Sequence, residues 1–276
     1  MTGAIGVSTL LGVKIADATR DARVTAIRDS AEHSRAISTF RERIGDIRTV
    51  DDLIADRDLY VFVMKAFDLE DQIFGKAMIR KVLQSDPGDS TSLVRRLTDP
   101  RFLELHRALG FGPEGVGNNS VNDAAWQQGI IARYVERQFI NAEALRSERV
   151  AEVLEFRQKA PKVQSWFDVL KDRGMASFMR TALGLSDDLV RLDVDKQAAL
   201  FAKKYDLEKL QDPDERARLE RLYAITADAR DPAGVAQNAA VQIMSGAVTA
   251  ATGGGQFVPI TLDITVISSL PRQPYR

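Results

Sequence analysis

Two stretches decide the fold: FRERIGDIRTVDDLIADRDLYVFVMKAFDL, residues 40–69, and FRQKAPKVQSWFDVLKDRGMASFMRTALGL, residues 156–185. They align without a gap at an offset of 116 residues. Eight of the thirty positions are identical: Phe40/Phe156, Arg41/Arg157, Asp52/Asp168, Asp56/Asp172, Arg57/Arg173, Phe62/Phe178, Ala66/Ala182 and Leu69/Leu185. In each stretch a hydroxyl residue stands three before an aspartate, Thr49 before Asp52 and Ser165 before Asp168. That spacing predicts a capping box, in which side-chain oxygens receive the free amides of a helix start. Asp56 and Asp172 suit the cap of a following helix. A second echo, Leu97-Thr-Asp-Pro100 and Leu210-Gln-Asp-Pro213, lies at an offset of 113. A duplicated run of capped, amphipathic segments predicts an all-α fold of two similar helical lobes, each a long helix plus short ones.

Outward from these windows the pattern stays helical. Ala18, Ala22, Val24, Ile27, Ala31, Ile37, Phe40 and Ile44 give one apolar stripe over about residues 16–44, read as one long helix. Further helices are expected over 74–83, 92–97 and 100–109, the last with Pro100 at its first position. The break Gly110-Phe-Gly-Pro-Glu-Gly-Val-Gly-Asn-Asn119 reads as a flexible turn between lobes. Ser120-Val-Asn-Asp123 then reads as another capping box, opening a long helix to about Lys159. The expected organisation is 1–34 as an extension and start of the long helix, 35–112 as helical repeat 1, 113–230 as a connecting helix with repeat 2, and 231–276 as a low-charge tail. In that tail 233–251 reads as helix. Residues 258–266 alternate like a short β-strand, whose candidate partner is Gly3 to Val13.

Composition narrows the chemistry. The 276 residues carry 38 Lys+Arg against 39 Asp+Glu, two His and no Cys. A net charge of −1 argues against nucleic acid as the main ligand. The absence of cysteine excludes disulfides, thiolate nucleophiles and Cys-ligated zinc. No basic n-region precedes the apolar start of the chain, and the uncharged run near its end is broken by Gly253-Gly-Gly255 and Pro259. Neither a signal peptide nor a membrane span is therefore expected.

The remaining motifs favour packing over chemistry. Gly110-Phe-Gly-Pro-Glu-Gly115 has dinucleotide-loop spacing but follows a helix rather than a strand. His33 and His106 have no second imidazole or thiol beside them, so each reads as a packed or solvated histidine. Asp52, Asp168, Asp56 and Asp172 read as caps, not paired catalytic carboxylates. Arg57 and Arg173 are expected to pair with nearby carboxylates. Asp212-Pro-Asp-Glu215 reads as a helix start, Asn118-Asn-Ser120 as a chance sequon, and Trp126 with Tyr134 as core. No catalytic, cofactor-binding or metal-binding residue is assigned.

Several phrases stand in a distinctive order: Asp52-Leu-Ile-Ala-Asp-Arg57, Lys65-Ala-Phe-Asp-Leu69, Ile79-Arg-Lys-Val-Leu83, Ala108-Leu-Gly-Phe-Gly112, Tyr134-Val-Glu-Arg-Gln-Phe139 and Thr181-Ala-Leu-Gly-Leu185. Together they resemble an alphaproteobacterial domain-of-unknown-function family, number 1217, over about residues 35–225. The resemblance implies a flagellum-associated protein, and the lack of catalytic motifs, the long amphipathic helices and the duplicated lobes point to a non-enzymatic one, acting in flagellar basal-body assembly or structure through other flagellar proteins, with oligomers possible. Its expected place is the cytoplasm, or the flagellum after export without a cleaved signal. The competing expectations are a cytoplasmic regulatory adaptor binding one protein partner between the lobes, and an unrecognised hydrolase or transferase.

Overall fold

Ser30 divides the first apolar stripe in two. In the computed structural model, which describes residues 8–117 and 119–231, α1 (Thr9–Asp29) ends at Ser30 in extended backbone, φ −63° and ψ 143°. The Ser30 N–H donates to the Ala26 carbonyl at 3.0 Å, closing α1. Its hydroxyl accepts from the His33 N–H, opening α2 (Ala31–Arg43). The single helix expected over 16–44 is thus a pair, because one serine satisfies the orphan groups of both helix ends.

The second long pattern breaks in the same way. Its first helix, Ala124–Ala144, ends near Leu145, and its second, Glu148–Lys159, is capped by the Ser147 hydroxyl. The box expected at Ser120 does not form. Residues Asn119–Asn122 make a 3-10 turn, and the Asp123 carboxylate itself accepts the Ala125 N–H at 2.9 Å.

In chain order the remaining helices of the first half are α3 (Val50–Ala55), α4 (Arg57–Ala66), α5 (Lys76–Leu83), α6 (Leu93–Arg96) and α7 (Pro100–Leu109). The second half runs α8 (Ala124–Ala144), α9 (Glu148–Lys159), α10 (Trp166–Lys171), α11 (Arg173–Ala182), α12 (Val194–Lys204) and α13 (Pro213–Ala229). Both bounds of α3 and α10, and both bounds of α4 and α11, lie 116 residues apart. So do the 3-10 turns Ile44–Asp46 and Ala160–Lys162. α7 and α13 each open on a capping aspartate followed by proline, Asp99 and Asp212. The fold is all-α. Among the described residues extended pairing is confined to one isolated antiparallel bridge, Thr49 with Val116.

That bridge corrects the reading of residues 110–119 as a flexible turn. Gly110 takes a left-handed φ of 66° to end α7. Gly115 and Gly117, at φ 73° and 90°, then fold the loop back onto the start of α3. The Val50 N–H donates to the Gly115 carbonyl at 2.8 Å, and the Gly117 N–H to the Arg48 carbonyl at 3.3 Å.

Burial organises the helices around two hydrophobic cores, and each core draws on both halves of the chain. The first packs Phe40, Leu59 and Phe62 against Ile130, Ile131, Tyr134 and Val135 of α8. The second packs Phe156, Phe178, Leu219 and Tyr223 with Phe139 and Ile140 of α8, and with Val13 and Ala16 of α1. Gly12 lets α1 approach α9 closely, since a Cβ there would stand 2.7 Å from Val150 Cγ2. At one end of this contact Thr9 donates from its N–H to the Asp228 carboxylate at 2.9 Å. Further along, Arg157 joins Asp17 at 2.6 Å and Glu220 at 2.7 Å.

The helix expected over 233–251 and the strand over 258–266 lie outside the described residues. Thr9–Val13 is helical, so the proposed strand partner does not extend into those residues. No described helix is long and apolar enough to cross a membrane.

Candidate functional site

Each core is centred on three stacked rings. Phe40 lies 4.6 Å from Phe62, and Phe62 lies 4.2 Å from Tyr134, both nearly parallel. The second set repeats the order: Phe156 to Phe178 at 4.0 Å and Phe178 to Tyr223 at 4.3 Å. A buried phenol needs a partner for its hydroxyl. Tyr134 meets His33 Nδ1 at 2.8 Å, whereas Tyr223 donates to the Glu152 carboxylate.

Above the first stack, between α2 and α4, lies a groove of about 450 Å³. Ala36 and Thr39 line it from α2, Val61 and Phe62 from α4. Its rim is charged, with Glu32 and Arg35 on one side and Arg57, Asp58 and Lys65 on the other. Lys65 pairs with Glu70 at 3.4 Å, and Arg43 reaches Asp58 at 3.4 Å. Arg35 and Arg57 are exposed, and no carboxylate among the described residues pairs with either. The corresponding space in the second half has shrunk to about 10 Å³. Positions 36, 39, 58 and 62 line the groove, and Glu152, Glu155, Gly174 and Phe178, each 116 residues on, line the small residue of it.

The aspartates singled out by sequence act as caps. Asp52 Oδ2 accepts the Thr49 N–H at 2.8 Å while the Thr49 hydroxyl accepts the Asp52 N–H at 3.1 Å. The Thr49 side chain, with the backbone N–H groups of Arg48 and Thr49, holds the Asp52 carboxyl below its ordinary range. The Ser165 hydroxyl likewise accepts the Asp168 N–H, at 3.2 Å, but the Asp168 carboxylate accepts that hydroxyl, at 2.8 Å, and not the Ser165 N–H, so the second expected capping box forms only in half. Asp56 caps α4 through the N–H groups of Asp58 and Leu59, and Asp172 caps α11 through that of Met175. Each also takes a cation, but not the expected one. Arg43 closes on Asp56, and Lys159, 116 residues later, on Asp172 at 2.8 Å. These last residues of α2 and α9 occupy the carboxylates, which leaves Arg57 at the groove rim.

The histidines are tied into the scaffold. His106 is buried, with Nε2 2.8 Å from the Ser85 carbonyl, and burial holds its pKa below the ordinary value. His33 is half-buried and lines a second depression of about 380 Å³ with Arg23, Ile27, Phe139, Glu143 and Arg146. Trp126 donates to the Ala108 carbonyl at 2.8 Å and stacks on Phe40. Asp212 caps α13. Among the described residues no group of three or more His, Asp or Glu is placed to hold a metal.

A cross-half ion network had no local signature in the sequence. Arg137 on α8, with a side chain only 13% exposed, reaches Asp68 at 3.1 Å and Glu155 at 2.9 Å. Glu155 continues to Lys159 at 3.3 Å. Asp68 sits at φ 59°, and its counterpart Gly184 at φ 63°. Arg101 donates to the Asp68 carbonyl and pairs with its carboxylate at 3.4 Å. Burial raises the Asp68 pKa despite both guanidiniums.

The sequence pattern described as a protein of unknown function, DUF1217, matches residues 66–215. The chain belongs to that family. The matched region of this DUF1217 protein is narrower than the resemblance over 35–225, and it begins after the α2 and α4 walls of the groove. The protein is also similar to a crystal structure, that of protein AGR_C_984 from Agrobacterium tumefaciens. The two share 30% identity and a TM-score of 0.73, over 82% of this chain and 97% of the other. No curated protein matches the chain.

Proposed function

We propose that this DUF1217 protein is a non-enzymatic docking component, seating a protein partner in the α2–α4 groove. The observation that carries this reading is the contrast between equivalent places. One half keeps about 450 Å³ open over its ring stack, while the other fills the same place with its own side chains. An open groove with an apolar floor and polar groups at its rim suits the side chains of a partner helix laid along it. The repeated aspartates, the candidates for acid–base work, are engaged in caps and ion pairs.

The setting we propose is flagellar assembly or structure, in the cytoplasm or at the basal body after export without a cleaved signal. The family resemblance supports it. A deletion strain should lose or impair motility, and tagged protein should co-purify with basal bodies. Normal motility with no basal-body association would overturn the flagellar setting. A second reading, a cytoplasmic regulatory adaptor, is favoured by the depression beside His33, which lies between α1 and α8. It would show as impaired motility with the tagged protein recovered entirely away from basal bodies.

A further inference from the structure

We infer that the α2–α4 groove takes an acidic segment of the partner, presenting two carboxylates one helical turn apart. The inference rests on the docking reading above and draws on the other half of the molecule. There, positions equivalent to Ala36 and Thr39 are Glu152 and Glu155. Glu152 accepts the hydroxyl of Tyr223, the third ring of its stack, and Glu155 is held by Arg137 and Lys159. The second half therefore supplies from its own helix two carboxylates that the first half lacks.

The charges around the groove have moved in the complementary direction. Arg35 stands where the second half has Ala151, and Lys65 where it has Thr181. Arg57 is kept in both halves, as Arg173. The first half thus lacks two acidic side chains and has two extra basic ones, against one extra acid, Asp58 in place of Gly174, and Arg35 and Arg57 are exposed without a carboxylate partner among the described residues. An incoming Glu-x-x-Glu pair restores the missing charge. Guanidiniums bind carboxylates through directed, charge-assisted hydrogen bonds, so two such contacts also fix the register of the arriving helix.

The test uses the full chain and a fluorescein-labelled, alanine-rich helical peptide carrying one Glu-x-x-Glu pair, with a Gln-x-x-Gln peptide as its control. Anisotropy should give about tenfold tighter binding of the Glu peptide at low salt, narrowing as ionic strength rises. Arg35→Gln with Arg57→Gln, both on the exposed surface, should erase that preference. Ala36→Glu with Thr39→Glu should fill the groove and abolish binding, and its thermal unfolding shows whether the fold is kept. Equal binding of the two peptides overturns the inference, as does binding that survives the filling substitutions in a folded variant. If both peptides bind equally and both are lost on filling, docking stands and its acidic character falls. If neither binds, the acidic-segment inference fails, and basal-body co-purification judges the docking reading separately.

Discussion

Tyr134 and Tyr223 lie 89 residues apart, off the 116-residue spacing of the repeat, yet each lays its ring on the middle phenylalanine of a three-ring stack. Each stands eleven residues after the aspartate that caps its helix, Asp123 of α8 and Asp212 of α13, and the two helix starts are also 89 residues apart. The repeated halves therefore complete equivalent cores with equivalently capped helices that stand off the 116-residue spacing. Packing demand, a flat ring to cover Phe62 or Phe178, is common to both, and a tyrosine at the same helix position meets it.

The middle rings should dominate stability. Phe62 and Phe178 are 3% and 2% exposed. Replacing either by Ala should cost ~3–5 kcal/mol in denaturant unfolding. A loss below ~1 kcal/mol at either position would contradict its place in the core.

The outer rings should differ from each other. Burial holds the Glu152 carboxyl above its ordinary range, with the bond from Tyr223 opposing that rise. Tyr223→Phe removes the donor and should cost ~1–3 kcal/mol near neutral pH, with a further rise in the Glu152 pKa by NMR titration. Tyr134→Phe should cost less, because half-buried His33 can turn to water. Equal losses would show that Glu152 does not depend on the phenol.

Acid should loosen a contact between the halves. Glu104 on α7 meets Arg133 at 2.6 Å and Lys162 at 2.8 Å. Burial opposes its ionisation, but these cations outweigh that and bring its pKa down from 4.5 to about 2. A depressed carboxylate pKa gives stability that is present above 4.5 and lost as pH falls toward about 2. The side chain is 42% exposed, so solvent screening keeps the contribution at no more than ~1 kcal/mol. Glu104→Gln should flatten this part of a stability–pH curve and leave neutral pH only slightly affected. A curve unchanged by the substitution would refute the assignment.

Asp68 and Gly184 share a left-handed backbone but should respond differently to alanine. Nothing lies within 4 Å of a Cβ built on Gly184, so Gly184→Ala isolates backbone strain, about 1–2 kcal/mol. Asp68→Ala keeps that backbone and also strips a carboxylate from largely buried Arg137. Its cost should be larger, and addition of Arg137→Ala should fall short of the sum. Strict additivity would place Asp68 outside the network.

The helical class, the repeated caps and the Asp-Pro helix starts were legible in sequence because each depends on residues a turn apart. The breaks at Ser30 and at 145–147 were not, since the apolar stripe runs on through both and hydrophobic spacing alone does not register a change of direction. Arg57 misled for a related reason: its nearest carboxylates belong to Arg43, brought close only when α2 packs on α4. The groove was within reach. Its signature is Ala36 and Thr39 against Glu152 and Glu155, a few residues upstream of the aligned windows. The partnership of α1 with α9 and α13 spans more than 200 residues and leaves no local pattern, only the small Gly12.

That partnership sets an order of events during synthesis. Val13 and Ala16 are made long before Leu219 and Tyr223, which close the core they enter. The first core in turn waits for Ile130, Ile131 and Tyr134. The first core can close once Val135 is made, whereas the second waits for Tyr223, so Val13 and Ala16 of α1 must remain uncovered until α13 follows. A chain stalled halfway would display surfaces that the folded protein conceals, and a chaperone would find a clear target in the apolar side of α1.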